Sequence, residues 1–480
     1  VGKKFAHELL EKYDEEELVD ILSNRPQELL DFKGIKEKKL QMIVSSWQKF
    51  QHLRELGSFL AKFGVTSNLI TKIYSSLGEV ENLIEKIKEN PYILINIKGI
   101  GFKRADEIAK FLGIDPKSEF RIMACLNYTL REYCDNNGNS SIDKYHLYRL
   151  LDESLRFSNE EALYESAISK MLVDEDIFVT SENRYALSML YYAEKRILEF
   201  FTRRKDEKNR KIIATFDEYL IKKQETLGFE LSTEQKKAVE LINNGDKTLF
   251  LIGYAGTGKS TSSRAILELL EETMSYDDIM TIALSGIASQ RISDTTGYNS
   301  STIQSLIMKH KEKDFFPYKA ILLDEASMVN SVTFNQIVSK IDDDTIFIIV
   351  GDDGQLPAIG AGNVLADAIK YELAPICKLT KIYRQNENQA IAVIANDIRK
   401  GEIPAYKEEY EDFKFVDVSI SNYYSQKNSI SSNDFADLRG ENSEYILNNI
   451  LNISAGYIEQ YYDFIKKKKI SKALTLFQVI

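Results

Sequence analysis

A chain of 480 residues is too long for a single hydrophobic core, so we expect roughly three or four domains. A hydrophobic content of 44% and a charged content of 28% are typical of a soluble globular protein, and the absence of any run of 18 apolar residues argues against a membrane span. The net charge of −11 argues mildly against nucleic acid as a partner, although phosphate contacts depend on local positive patches rather than on the sum.

The start of the chain and its cysteines predict a cytoplasmic protein. No signal-peptide pattern opens the chain, and it begins at Val1 rather than at Met, which suggests that the start is missing. The three cysteines, Cys125, Cys134 and Cys377, are widely separated and form no CxxC pair. We therefore expect reduced thiols, no metal cluster and no contact with a membrane.

The first half of the chain has helical periodicity. Residues 1–115 are dense in helical patterns, and residues 118–173 continue with three amphipathic ones. Two short apolar runs, 177–180 and 185–187, flank a polar turn, which predicts a β-hairpin. Three helices followed by a hairpin suit a winged-helix-like module, and a generic helical connector fits the pattern equally well.

Residues 190–225 are charged and predict a helix and a linker, and the hydrophobicity pattern changes after them. From about residue 226, near-continuous apolar runs alternate with helical stretches, as in a parallel sheet that is covered on both faces. These runs are residues 248–252, 279–284, 320–323 and 346–350. The Asn-, Ser- and Tyr-rich residues 417–470 predict a loop or insertion, and residues 473–480 predict a strand without its continuation.

The segment 253–260 reads GYAGTGKS, a full match to the phosphate-binding pattern GxxxxGK[ST]. It follows an apolar strand and precedes a predicted helix at 263–271, so backbone N–H groups can surround phosphates at a helix N-terminus. Lys259 can neutralise phosphate charge, and the Ser260 hydroxyl can ligate Mg²⁺. The predicted nucleotide-binding residues here are Gly253, Gly256, Thr257, Gly258, Lys259, Ser260 and Thr261.

Two acidic residues follow the apolar run 320–323. Asp324 stands at a strand end, where a carboxylate can hold a Mg²⁺ shell, and Glu325 can orient or deprotonate the attacking water. An Asp-Glu pair after apolar residues is common by itself. At this distance behind a phosphate-binding loop, it predicts the metal-binding and catalytic pair of an ATPase.

Two further residues are candidates for catalysis. Gln355 lies in a GDDGQLP segment after another strand, where its amide could touch the γ-phosphate. Arg384 could act across a domain cleft as an arginine finger does. On chemistry alone, Arg384 could equally form a surface ion pair, and Gln355 could be an ordinary loop residue.

The order of these blocks resembles superfamily 1 helicases, specifically the RecD-like branch (superfamily 1B). The letters LSTEQ at 231–235 resemble its Q motif, which implies that Gln235 contacts adenine. The segment 284–291 and the stretch that follows it resemble the family's single-stranded DNA path. The DNA-contacting residues that this implies are Ser285, Gly286, Arg291 and Thr302.

The segment 90–109, NPYILINIKGIGFKRADEIA, resembles the helix-hairpin-helix region of RecD-like helicases that work without RecB and RecC. Gly34 and the pair Gly99 and Gly101 would lie in the hairpins, where backbone N–H groups can approach a DNA phosphate with help from Lys36 or Lys103. The same residues could form tight turns of a protein scaffold. The first hairpin has Lys36 where the second glycine is usual, which weakens the prediction for Gly34.

The resemblance implies a fold with an all-α helix-hairpin-helix N-terminal region followed by α/β P-loop (RecA-like) motor domains. We predict a helix-hairpin-helix region at 1–115, a helical or winged-helix-like connector at 116–225, a first RecA-like domain at 226–376 and an incomplete second one at 377–480. The family further implies ATP and Mg²⁺ as cofactors, a monomer, and a role in DNA repair and recombination.

The family also implies 5′→3′ movement on single-stranded DNA with a 5′ tail and action at single-strand/double-strand junctions. Three features depart from it: a short segment between Ile307 and Ala320 where a strand-separating pin is usual, Gln304 in place of His, and an end at Ile480 before the later motifs. One alternative is a DNA-dependent ATPase that remodels or loads without unwinding. Another is a helix-hairpin-helix DNA-binding scaffold with a vestigial ATPase.

Overall fold

The computed structural model describes residues 3–78, 82–97, 99–158, 160–180, 182–205, 207–254 and 256–381, with residues 394, 397, 398, 401, 402 and 466. The chain divides into two compact units, Val1–Tyr383 and Arg384–Ile480. The predictions for residues 417–470 and 473–480 therefore lie outside the described residues, apart from residue 466. Within the described part of the chain, no helix combines the length and the apolar character needed to cross a membrane.

The N-terminal region is helical, as predicted. Its elements are α1 (Lys3–Lys12), α2 (Glu15–Asn24), α3 (Glu37–Ala61), α4 (Ser67–Leu77), α5 (Leu83–Glu89) and α6 (Phe102–Phe111), with 3-10 turns at Pro26–Asp31 and Pro91–Asn96. The same sequence of parts occurs twice: a helix, a proline-initiated 3-10 turn, a glycine turn and a second helix. Gly34 (φ +93°) and Gly99 (φ +110°) occupy equivalent turns, so the two hairpins that the sequence predicts are present.

A second module follows, built from α7 (Glu119–Asn137), β1 (Ile142–Asp143), α8 (Lys144–Leu155), α9 (Glu161–Val173), β2 (Ile177–Val179) and β3 (Arg184–Leu187). The strands form an antiparallel sheet in the order β1-β3-β2, with Phe178 opposite Ala186. The predicted hairpin is therefore confirmed. Three helices pack on this sheet around one apolar core, an arrangement that agrees with a winged-helix-like module, and we call it the winged module.

A buried charge network joins α6 to the winged module. Asp106 of α6 accepts hydrogen bonds from the Tyr92 hydroxyl (2.7 Å) and from Arg121 Nε of α7 (2.7 Å). Lys110 Nζ lies 2.7 Å from its other oxygen. Burial alone would raise the pKa of Asp106, but the hydrogen bonds from Arg121, Lys110 and Tyr92 outweigh it and lower the pKa to about 2.

We expect Asp106→Asn to weaken the acid dependence of stability. Because the folded-state pKa of Asp106 lies below its unfolded value near 4, its stabilisation is complete above that value and is lost as the pH falls towards 2. The loss amounts to about 2 kcal/mol. Urea unfolding at pH 4.5 and 2.5 measures it, with Asp20→Asn as a control because Asp20 pairs with Arg25 in water. Equal pH slopes for wild type and Asp106→Asn would contradict the prediction.

The rest of the described chain is an α/β domain with one parallel sheet. Its elements are α10 (Ser188–Arg204), α11 (Phe216–Leu227), α12 (Thr233–Asn243), β4 (Thr248–Gly253), α13 (Lys259–Leu270), β5 (Ile279–Ala283), α14 (Gly286–Thr296), β6 (Ser300–Thr302), α15 (Ile303–Lys309), β7 (Ala320–Leu323), α16 (Ser331–Val338), β8 (Ile346–Gly351), α17 (Val364–Lys370) and β9 (Ile376–Leu379), with 3-10 turns at Tyr276–Asp278 and Ala326–Met328. The strand order is β6-β5-β7-β8-β4-β9. Apolar cores lie on both faces of the sheet, as the near-continuous apolar runs predict.

One element crosses a domain boundary that we predict from the sequence, and another packs into the cores of two predicted domains. β9 pairs with β4, with Cys377 opposite Leu251, so the sheet of the first ATPase domain extends past residue 376. α10 contributes Leu190 to the core of the winged module and Phe201 to the core beneath the parallel sheet. One continuous helix of the predicted connector therefore packs into both the winged module and the ATPase domain.

Candidate functional site

The strand order of the parallel sheet brings three loops together at one edge. β4 lies between β8 and β9, and β8 also pairs with β7. The loops that follow β4, β7 and β8 leave from the carboxyl ends of these strands, and ligands of open parallel sheets bind at that edge. Three of the predicted segments, which begin at Gly253, Asp324 and Asp352, are thereby placed side by side.

The loop between β4 and α13 is folded as a phosphate cradle. Gly256 (φ +84°) and Gly258 (φ +87°) have left-handed backbones, and Gly258 is the residue before α13. The Thr257 side chain is buried, and its hydroxyl donates to the Tyr254 carbonyl at 2.8 Å. The first N–H groups of α13 have no partner within the helix, so they are available to an anion at this loop.

Lys259 lies at the centre of this cradle. Its Nζ donates to the carbonyl oxygens of Gly253 at 2.6 Å and Tyr254 at 3.2 Å. Burial lowers the pKa of Lys259 below its ordinary value, and the carboxylates of Asp352, Glu325 and Asp324 oppose that fall without cancelling it. The ammonium group is therefore held over the loop within the field of three acidic side chains, and those charges favour its protonated form.

The predicted acidic pair lies at the end of β7. The Asp324 backbone N–H continues the ladder to Ile282 O at 2.8 Å, and burial, followed by the charge of Glu325, raises the pKa of Asp324. Glu325 has a left-handed backbone (φ +53°). Its Oε2 is buried and has no hydrogen-bond partner among the described residues. An unsatisfied buried carboxylate oxygen is what a water or hydrated ion would complete.

The residues present fit a nucleotide with its magnesium ion. Ser260 lies in the first turn of α13 with its side chain exposed, and Asp324 lies two strands away at the same edge of the sheet. Mg²⁺ usually binds through one or two protein oxygens and keeps its other ligands from phosphates and water. Among the described residues no group of three or more His, Cys, Asp or Glu could hold a metal ion, and the predicted site does not need one.

The two glutamines of the predicted site differ in exposure. Gln235 is 3% exposed, and its side chain closes a capping box at the start of α12, where Oε1 accepts the Ser232 N–H at 2.9 Å. Its carbonyl oxygen is thus already used by the helix. Gln355 is exposed, and its Oε1 accepts from the Ser327 hydroxyl at 3.3 Å, just beyond the acidic pair. Arg384 lies outside the described residues.

The predicted DNA-path residues lie near the β5–β6 side of the sheet. Ser285 caps α14 by accepting the Ala288 N–H at 3.1 Å, and Gly286 is the first exposed residue of that helix. Thr302 caps α15 in the same way. Arg291 is exposed, and its charge contributes to the pKa shifts of Lys259 and Asp324. The structure therefore brings Arg291 within electrostatic range of the phosphate cradle.

The predicted hairpin residues are exposed. Gly34 and Gly99 turn the two hairpins, Gly101 precedes α6, and Lys103 points to solvent from its first turn. A cavity of about 380 Å³ opens beside the second hairpin and is lined by Gly99, Gly101 and residues of α7 that include Arg131. DNA contact by these residues stays a prediction.

Two family models match the chain. One, described as the HHH domain of the ATP-dependent RecD2 DNA helicase, matches residues 49–141, and one described as an AAA domain matches residues 230–419. The ATP-dependent RecD2 DNA helicase of Deinococcus radiodurans is 27% identical in an alignment of 410 residues that covers 81% of this chain and 55% of that protein. These matches support a RecD-like superfamily 1 helicase with an N-terminal helix-hairpin-helix region.

The chain spans about half the length of the Deinococcus relative. The RecD subunit of the RecBCD enzyme of Mycolicibacterium smegmatis is 27% identical over 209 residues, which are 37% of each protein. Among solved structures, the Pif1 helicase from Candida albicans is 24% identical and covers 36% of this chain and 45% of its own, with a TM-score of 0.28.

Asp352 is a candidate site residue that the sequence prediction did not include. It is 5% exposed at the end of β8, the strand next to β4, and it is the acidic group that most strongly raises the pKa of Lys259. Its Oδ1 accepts the Gly354 N–H at 3.0 Å, which shapes the turn that leads to Gln355. The sequence GDDG could have predicted this residue, because an acidic residue directly after a buried strand lies at the same edge of the sheet as the cradle.

Proposed function

We propose that the protein is an ATP-dependent DNA helicase or translocase that moves 5′→3′ along single-stranded DNA. The observation that carries the proposal is the position of Lys259 in a phosphate cradle, within the field of Asp324, Glu325 and Asp352. The similarity to a relative named as an ATP-dependent RecD2 DNA helicase supports the coupling of this site to DNA.

The residues of the site have distinct roles in the proposed hydrolysis. Lys259 would leave the loop carbonyls for the β- and γ-phosphates, where its charge offsets the charge that develops during transfer. Ser260 and Asp324 would hold Mg²⁺, which supplies further charge neutralisation. Glu325 would orient the attacking water and accept its proton on the unpartnered Oε2. Gln355 would contact the γ-phosphate, and Arg384 would act as the arginine finger.

The proposed DNA path runs over the helix starts next to β5 and β6. Ser285 and Gly286 present the N-terminus of α14, Thr302 presents that of α15, and Arg291 adds positive charge. Helix N-termini and exposed cations are suited to phosphates and carry no base specificity. The hairpins at Gly34 and at Gly99 and Gly101 would add backbone contacts to a second stretch of DNA.

A second candidate is a DNA-dependent ATPase that does not unwind. The described segment 310–319, where a strand-separating pin would lie, contains no strand. Lys340 Nζ donates to the carbonyls of His310 (3.2 Å), Lys311 (3.4 Å) and Lys313 (2.5 Å), so the segment is tied to the end of α16. A short, anchored loop has little reach into a fork, which favours translocation without separation.

The test is ATP hydrolysis with and without single-stranded DNA, followed by strand displacement on duplexes with a 5′ tail, a 3′ tail or no tail. A helicase gives DNA-stimulated hydrolysis and displaces the 5′-tailed duplex alone. DNA-stimulated hydrolysis without displacement identifies the second candidate. Hydrolysis that does not respond to DNA would refute both.

A further inference from the structure

The loop that carries Gln355 ends inside the winged module. It runs from Asp352 to Gly362 between β8 and α17, and we call it the Gln355 loop. Ala361 is 2% exposed and belongs to the apolar core that α7, α8 and α9 build. The Gly362 N–H donates to the Gly138 carbonyl, which follows α7, at 3.1 Å. The end of an ATPase loop is thus part of the core of the N-terminal half.

The start of α16 ties the same loop to the acidic pair. Asn330 Nδ2 donates to the Ile359 carbonyl at 3.0 Å, and the Ser331 N–H donates to the Ala361 carbonyl at 3.0 Å. Both residues follow the 3-10 turn Ala326–Met328, which begins directly after Glu325. The turn also contains Ser327, the hydrogen-bond donor to Gln355. The Gln355 loop is therefore hydrogen-bonded both to the turn behind Glu325 and to the start of α16.

Glu194 of α10, in the N-terminal half of the chain, also contacts the start of α16. Its Oε1 accepts from the Ser331 hydroxyl at 3.3 Å. Burial raises its pKa, and hydrogen bonds from Ser140 and Ser331 oppose that rise. A Cβ on Gly362 would lie 3.2 Å from Glu194 Oε1 and would collide with the Ser331 hydroxyl, so this packing requires glycine. The carboxylate sits among α10, the winged module and the Gln355 loop.

We propose that Glu194 is a positioning residue for ATP hydrolysis: with Ser331 it clamps the Gln355 loop against the winged module and so fixes Gln355 relative to Glu325. The proposal rests on the proposed ATPase function. The clamp makes the N-terminal half part of the catalytic apparatus, since a loop anchored at Ala361 and Gly138 is held by residues that precede the ATPase domain.

Steady-state ATP hydrolysis by the full chain tests the clamp. We expect Glu194→Ala to lower kcat about tenfold, because small displacements of catalytic groups cost up to about a hundredfold. KM should stay within about twofold, because Glu194 makes no described contact with the phosphate cradle. Glu194→Gln keeps an acceptor for Ser331 and should retain most of the activity. Glu199→Ala, an exposed glutamate on the same helix, is the matched control.

A double variant tests whether the effect passes through Gln355. If it does, Glu194→Ala combined with Gln355→Ala is no slower than Gln355→Ala alone, whereas independent effects multiply. An unchanged kcat in Glu194→Ala, or full multiplication in the double variant, overturns the proposal.

Hydrogen–deuterium exchange over residues 355–364 separates the clamp from the proposed function. We expect faster exchange in Glu194→Ala than in wild type, because the N–H of Gly362 loses part of its support. A wild-type chain that does not hydrolyse ATP refutes the proposed function. In that case unchanged exchange in Glu194→Ala refutes the clamp as well, and faster exchange supports it.

Discussion

Lys259→Ala is expected to lower ATP turnover by about 100- to 1,000-fold and to weaken nucleotide binding. The wild-type ammonium group lies 2.6 Å from the Gly253 carbonyl, at the point of the cradle where phosphate oxygens would replace the loop carbonyls. A preorganised cation in a water-poor site is worth about 2.7–4 kcal/mol to a transition state that gathers negative charge. In the variant, the negative charges of Asp324, Glu325 and Asp352 would repel the phosphates, and no lysine charge would offset that repulsion.

Turnover of ATP and binding of a fluorescent ADP analogue measure this effect. Lys222→Ala is the control, because Lys222 is an exposed lysine of α11, away from the cradle. Thermal unfolding of each variant checks that the fold is kept. Turnover above a tenth of the wild-type rate in Lys259→Ala would mean that this cradle is not where ATP is hydrolysed.

Arg204→Met is expected to lower the free energy of unfolding by about 3–5 kcal/mol. Arg204 ends α10 and is 2% exposed. Its guanidinium donates to the Thr248 hydroxyl and to the carbonyls of Lys247, Asp342, Asp343 and Thr345. Burial lowers the pKa of Arg204 to about 10, so it remains charged at neutral pH. Methionine fills similar space but leaves this set of buried acceptors unpaired.

Urea unfolding of the two variants Arg204→Met and Arg203→Met measures this loss of free energy of unfolding against a matched control. Arg203 is the preceding residue, and its exposed side chain pairs with Asp343. An exposed ion pair contributes about 0–1 kcal/mol, so Arg203→Met should unfold close to wild type. Equal midpoints for the two variants would contradict the role that the buried hydrogen bonds give to Arg204.

The sheet was predictable where the strands are apolar throughout. β4 and β8 are buried at every position, and their near-continuous apolar letters identify them without any contact information. β6 is short and polar (Ser300–Thr302), and β9 is short and half-buried, so neither has a pattern of its own. Pairing with a neighbour defines both strands, and pairing is not a property of a local segment.

The site was predictable to the extent that its chemistry lies in one segment. The cradle and the Asp324–Glu325 pair follow from local letters placed after strands. Gln235 illustrates the limit, because the letters S-T-E-Q fit both a base contact and a capping box, and the structure uses the side chain as a cap. Glu194 has no local signal, since its partner Ser331 is far away along the chain.

The sharing of α10 between two cores has a consequence for how the chain is made. When α10 leaves the ribosome, the helices and strands of the winged module have been made and can pack against Leu190, although Ala361 of its core has not. Phe200 and Phe201 at the other end of α10 still lack Phe250 and Phe347. At about 5–20 residues per second, β8 follows on the order of ten seconds later. During that interval the winged module carries an aromatic surface that only later-made strands can cover, so this end of α10 is exposed until β4 and β8 have been made.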